Sequence, residues 1–210
     1  MIEFTEPRAV ASGLKTQLAM KQFLESENLV DTVIAQAQLN AAEARTVVDG
    51  LNETQLNWKP GPERWSIAQC LEHLTATSCG FNPYFDEALA RGRQRFAASS
   101  PPAYQPTFMG RWLIKHVEPE SPRKLRAPRI FKPSASNVQD ALDNFLAQQR
   151  IFLKFVGQTS GIDYNRTRLR SPVTALVRYS LADAYVITVS HEQRHLQQAR
   201  RVRETSGFPN

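Results

Sequence analysis

Near its C-terminus the chain reads Ser190-His191-Glu192-Gln193-Arg194-His195-Leu196, and this stretch limits the possible folds more than any other. Residues four apart on an α-helix share one face, so the two imidazoles point the same way. Burying both without a common partner would strand several ring nitrogens. A divalent metal ion satisfies them together, but it needs a further ligand from elsewhere. The chain has only four histidines, the others being His73 and His116. His73 lies in Trp65-Ser66-Ile67-Ala68-Gln69-Cys70-Leu71-Glu72-His73-Leu74, which reads as the start of a helix. The expectation is that His73, His191 and His195 meet inside a helix bundle around one metal ion. His116 is expected at the surface, and is the weaker alternative for third ligand.

The rest of the chain supplies the helices. Val30, Val33, Ile34, Ala37, Ala41, Ala44, Val48 and Leu51 form a 3.6-residue stripe, predicting a long helix from about 22 to 51 that ends at Gly50 and Asn52. Ser66 and Gln69 form a capping box for a second helix, whose inner face carries Cys70, Leu74, Thr77, Phe81, Phe85 and Ala88. Gly80 and Pro83 should kink it. Ser136 with Gln139 predicts the start of a third helix with the stripe Val138, Leu142, Phe145, Gln149, Phe152, Leu153 and Val156, closing at Gly157. Ser180 and Asp183 cap a fourth, with Ala184, Ile187, His191, His195, Gln198 and Val202 on one face. Between the second and third helices lies an irregular stretch, 99–135. It holds seven of the thirteen prolines and a short helical piece near Phe108–Ile114. We read it as a crossover that covers one end of the bundle. Residues 1–20 read as an arm. The sum is an all-α four-helix bundle with a long proline-rich connection, 1–210 forming one domain.

Composition excludes few classes. No apolar run approaches a membrane span, and the start lacks the basic-then-apolar pattern of a signal peptide, so a cytoplasmic location is expected. Cys70 and Cys79, nine residues apart in one predicted helix, read as buried free thiols rather than a disulfide. The net charge of +6 and pI near 9.6 allow an acidic partner. The basic runs are not interleaved with aromatics, as a single-strand binder would need, so nucleic-acid binding has little support.

Three neutral imidazoles suit zinc or nickel and leave a coordination position open, the mark of a catalytic rather than a structural site. There a metal acidifies water or gathers a thiol as thiolate. Thr77, Thr188 and Gln198, each about a turn from a histidine, are candidates to orient ligands or substrate; ordinary polar filling at a bundle rim is the equal alternative. The same stretch satisfies H-E-x-x-H, the zinc-protease signature, with Glu192 as general base. Its metzincin continuation fails, because Gln198 and Arg201 stand where glycine and histidine belong, and Glu204 is the only acidic residue left downstream. There is no sign of a strand-built substrate edge. The protease reading therefore ranks below the bundle, and outside it Glu192 reads as a solvated helix-surface residue.

Taken in order, Trp65-Ser66, then His73 in Leu-Glu-His-Leu, a proline-rich middle, and His191-Glu192-Gln193-Arg194-His195-Leu196-Gln197-Gln198 resemble the DinB-like superfamily, also called the YfiT-like metal-dependent hydrolases. The resemblance covers about residues 25–205. It implies an up-down-down-up bundle, frequent dimerisation, and a divalent metal on His73, His191 and His195. It also implies, from characterised relatives, transfer or isomerisation reactions that use a low-molecular-weight thiol on a small electrophile. Three functions follow as alternatives. The first is an enzyme with its metal at the open end of the bundle, acting on a small molecule. The second is a metal- or ligand-binding module without turnover, in stress or detoxification. The third is a basic nucleic-acid-associated protein with structural histidines.

Overall fold

The long helices begin where a side chain can take up their first free N–H groups. In the computed structural model, which describes residues 20–119, 121, 126–134, 137–174 and 176–209, helix α1 (Leu29–Val48) starts behind Asn28, whose side chain accepts from the Val30 amide. A short helix, α2 (Glu53–Asn57), is capped by Asn52. Helix α3 (Ile67–Arg95) carries the expected Ser66–Gln69 capping box. Helix α4 (Phe108–Val117) lies within the proline-rich connection, and α5 (Ala141–Gly157) follows it. Helix α6 (Leu181–Arg203) has the Ser180–Asp183 box at its start, and Arg200, Arg201 and Arg203 against the negative end of its dipole.

Contacts between helices give their directions. Along α1 and α6 the pairs Asn40–Val189, Glu43–Arg200 and Val47–Arg203 advance together, so these helices are parallel. Asn82–Gln148 and Arg93–Gln158 make α3 and α5 parallel. His73–His191 and Phe85–Tyr185 run oppositely, so α3 is antiparallel to α6. The course is up-down-down-up, with α1 and α3 each packed between α5 and α6.

The core is layered. One apolar cluster holds Leu29, Val33, Phe85, Phe152, Phe155 and Tyr185 among others. At the other end, Ala44, Leu71, Leu74, Phe145, Leu146 and Leu196 form a second cluster, extended by Val47, Ile67, Cys70 and Val202. Between them lies a buried polar layer: Gln36, Asn40, His73, Gln149, Glu192 and His195.

Several boundaries depart from expectation. The first helix starts at Leu29, not near Gln22. Residues 20–24 are a separate helical segment, because Asn28 turns extended to cap α1. Helix α5 begins at Ala141, behind Asp140 in the left-handed region with φ 50°. The Asn57 side chain bonds both main-chain groups of Val138, drawing that residue out of any helix. The proposed Ser136 cap and most of the 1–20 arm fall outside the described residues. Helix α3 runs through Pro83 without interruption. Cys79 is exposed, while Cys70 is buried as expected, and both are free. Ahead of α6, part of the supposed loop is a hairpin of β1 (Arg168–Arg170) and β2 (Arg178–Ser180), paired Leu169 to Tyr179.

The first part of the connection lies along α6, and its later part, residues 131–134, bonds to Gln69, Glu72 and His73 in the first turns of α3. Asp183 anchors the first part: its buried carboxylate accepts from Tyr104 Oη at 2.9 Å, Thr107 Oγ1 at 2.7 Å and the Ser180 amide at 3.0 Å. A Cβ at Gly110 would sit 2.1 Å from the Asp183 carboxyl carbon, so only glycine lets α4 approach this closely. No helix among the described residues is long and apolar enough to cross a membrane.

Candidate metal centre

The polar layer brings His73 of α3 to His191 and His195 of α6. One ring nitrogen from each lies within 4.8 Å of the others. His73 Nε2 and His191 Nε2 are 3.2 Å apart. The outer nitrogens explain how the rings are set. His73 Nδ1 lies 2.7 Å from the Phe131 carbonyl, which can only accept, so Nδ1 carries the proton and Nε2 presents a lone pair inward. Gln198 Oε1, 3.1 Å from His195 Nδ1, fixes that ring in the same way. Trp65, just before α3, stacks on His195 with centroids 5.5 Å apart and lies 4.9 Å from His73.

Burial favours the uncharged form of all three imidazoles. Burial pulls His73 below the usual histidine range, against the Phe131 carbonyl that favours its charged form. His191 is held down to about 3, first by burial and then by His73 and Arg194. His195 falls well below 6.5, again by burial first and then by its neighbours. The inward lone pair of His73 needs a partner, which either a proton on His191 Nε2, 3.2 Å away, or a shared cation supplies. Tetrahedral ligands about 2.0–2.1 Å from an ion stand roughly 3.3 Å apart, close to the 3.2 Å between His73 and His191. The residues present therefore fit a divalent metal ion.

The other candidates fall into distinct places. Thr77 and Thr188 line the cavity beside the histidines, but each hydroxyl donates to the carbonyl one turn back, His73 and Ala184, at 2.8 Å. They can accept from a ligand, not donate to it. Glu192 is not at the solvated surface: it is 2% exposed, because α6 turns it toward α1 and α5. Its Oε2 accepts from Asn40 Nδ2 at 2.9 Å, and its Oε1 has no hydrogen-bond partner among the described residues. Burial pushes its carboxyl up to about 7, opposed by the Asn40 amide. His116 is buried too, its Nδ1 donating to the Trp112 carbonyl at 2.6 Å, and it is not among the clustered ligands. On α6 the histidines sit at mid-length, between Val189 and Leu196, one in each apolar cluster, whereas His73 lies in the second turn of α3.

Of the two groups that hold the rings, sequence reasoning named Gln198 and missed the other. The Phe131 carbonyl is main chain and leaves no trace in residue type. It reaches His73 because Gly80 has no Cβ; one there would meet the Phe131 ring at 2.5 Å. Arg194 and the hairpin were missed as walls, although the hairpin residues Ser171, Val173 and Val177 line the same cavity of about 1230 Å³. The turn of a short hairpin, rather than a strand edge, thus borders the site.

No curated protein matches the chain. Among solved structures it is similar to YfiT from Bacillus subtilis, described as a probable metal-dependent hydrolase with an unusual four-helix bundle topology. The TM-score is 0.57 and the identity 15%, over 99% of this chain and 95% of that one. At that identity the likeness concerns the fold. The model of the DinB superfamily matches residues 36–199, most of the sequence and all three clustered histidines, and the chain belongs to that superfamily.

Proposed function

We propose that the protein is a metal-dependent enzyme in which His73, His191 and His195 hold one divalent ion, zinc or nickel, beside a cavity that admits a small organic substrate. The observation that carries this reading is the convergence of three imidazoles on the wall of a cavity of about 1230 Å³. When bound, such an ion supplies Lewis acidity and makes a nucleophile, water or a low-molecular-weight thiol, available at neutral pH. The chain supplies the rest. Phe131 and Gln198 keep protons on the outer ring nitrogens. Trp65 covers two of the rings and limits their contact with water. Thr77 and Thr188 offer oxygen lone pairs to a donor on the substrate. Hydrolysis and thiol transfer to an electrophile both suit this arrangement, and a homodimer in the cytoplasm is part of the same proposal.

The test is metal analysis of the purified chain beside His191→Ala. The wild type should retain about one ion per chain and the variant should lose it, with affinity weakened more than about 100-fold. Equal metal content in the two would sink the reading. Turnover of an electrophile with glutathione or bacillithiol then separates an enzyme from a binding module.

A further inference from the structure

The cavity beside the histidines is unequally charged. Lys59, Arg64, Arg126, Lys132, Arg194 and Arg201 line it, against Glu63 at the surface and Glu192, whose carboxyl is turned to Asn40. Lys59, Arg64, Arg126, Lys132 and Arg194 form no ion pair with a carboxylate among the described residues. Arg194 is the one closest to the chemistry. It lies between the two histidines of α6 in sequence, and its charge acts on both rings. Its Nη1 donates to the main-chain carbonyls of Glu118 at 2.8 Å and Ser121 at 3.4 Å. Those carbonyls follow α4 and fix the guanidinium plane without neutralising it. Nε and Nη2 have no acceptor among the described residues. A planar, oriented guanidinium with free donors is the group that recognises a carboxylate or phosphate in two-point fashion.

We propose that the substrate or co-substrate of this site is a small anion, bearing a carboxylate or phosphate that Arg194 holds while its reactive end faces His73, His191 and His195. This rests on the metal-site reading above and extends it to substrate class. The surrounding cations attract the anion into the cavity, and Arg194 sets its orientation. The cavity, about 1230 Å³ and open to solvent, is not smaller than the roughly 300–1,000 Å³ of common small-molecule sites.

The test is calorimetric titration of the full-length protein, zinc-loaded and metal-free, with succinate, inorganic phosphate and 1,4-butanediol, an uncharged compound with the same four-carbon chain as succinate. Zinc content is measured on the same samples. Succinate or phosphate should bind and butanediol should not, and the preference between the two anions identifies the group recognised. Arg194→Gln should weaken anion binding by about 10-fold or more, and Arg194→Lys should retain part of it. If Arg194→Gln fails to fold, Arg194→Lys and the salt dependence of wild-type binding carry the test, since an ionic contact weakens as sodium chloride rises. One zinc per chain with no preference for anions overturns the inference and leaves the metal site standing. Anion binding that depends on Arg194 in a protein that takes up no zinc supports the anion site while the metal reading fails. Displacement of succinate by a short single-stranded oligonucleotide at lower concentration overturns it in favour of a nucleic-acid groove.

Discussion

Two layers of the same bundle make opposite use of burial. In one, Phe85 stacks on Tyr185 at 5.4 Å and packs against Phe152 and Phe155, and the Tyr185 hydroxyl is satisfied by Thr159 at 2.7 Å. In the other, a few residues along the same helices, three imidazoles face one another and a carboxylate oxygen of Glu192 has no hydrogen-bond partner among the described residues. The aromatic layer gains from every atom it buries. The polar layer loses stability by burying groups that water would serve better, and such a layer persists where it does something else. The lesson is that stability and function are separated along the bundle axis, and they should respond separately to substitution.

The largest effect should come from the aromatic layer. Phe85→Ala empties a site that is 1% exposed and should lower unfolding stability by about 4 kcal/mol in a denaturant titration, with the metal content per folded chain unchanged. A matching loss of metal would show that the layers are not independent.

Next comes the pH dependence of the polar layer, which has two limbs of opposite sign. The Glu192 carboxyl rises from 4.5 to about 7 on folding, so the stability it contributes is present below 4.5 and lost as pH climbs toward 7. Glu192→Gln removes that limb and should gain, relative to wild type, up to roughly 3 kcal/mol between pH 4.5 and pH 8. The histidines act in the other sense. His191 falls from 6.5 to about 3 on folding, so its contribution is present above 6.5 and lost as pH drops toward 3. Urea midpoints of the metal-free protein across this range measure both limbs. Because the two limbs overlap and offset each other between about pH 4.5 and 6.5, the difference between wild type and Glu192→Gln isolates the carboxyl, and a difference that stays flat across this range would mean that water or a proton partner reaches Glu192.

A smaller effect tests how the rings are held. Gly80→Ala pushes a methyl into the Phe131 ring and should cost about 1–3 kcal/mol. It should also weaken zinc binding by roughly 10–100-fold, because the carbonyl on His73 moves with that ring. Loss of stability with zinc affinity intact would separate the ring from the site. The smallest effect is expected for Gln198→Ala, about 10-fold in zinc affinity by chelator competition, with the denaturation midpoint barely changed.

Local chemistry wrote some of this protein into its sequence plainly. Ser66–Gln69 and Ser180–Asp183 close capping boxes between residues three apart, so helix starts at Ile67 and Leu181 follow from residue type alone. The spacing of His191 and His195 puts both on one helical face before any tertiary contact forms. What needed the folded molecule acts across long separations. Asn57 pairs with Val138 and delays α5, Asn40 of α1 holds Glu192 inside, and Gly80 admits Phe131 so that its carbonyl meets His73. His116 and Glu192 look like surface residues in a helical pattern, and only packing of α4 on α6, and of α6 on α1, buries them. A capping box or an i,i+4 pair depends on backbone geometry that every helix shares. A main-chain carbonyl placed against a ring 58 residues away depends on how particular helices pack, and no spacing in the chain encodes that.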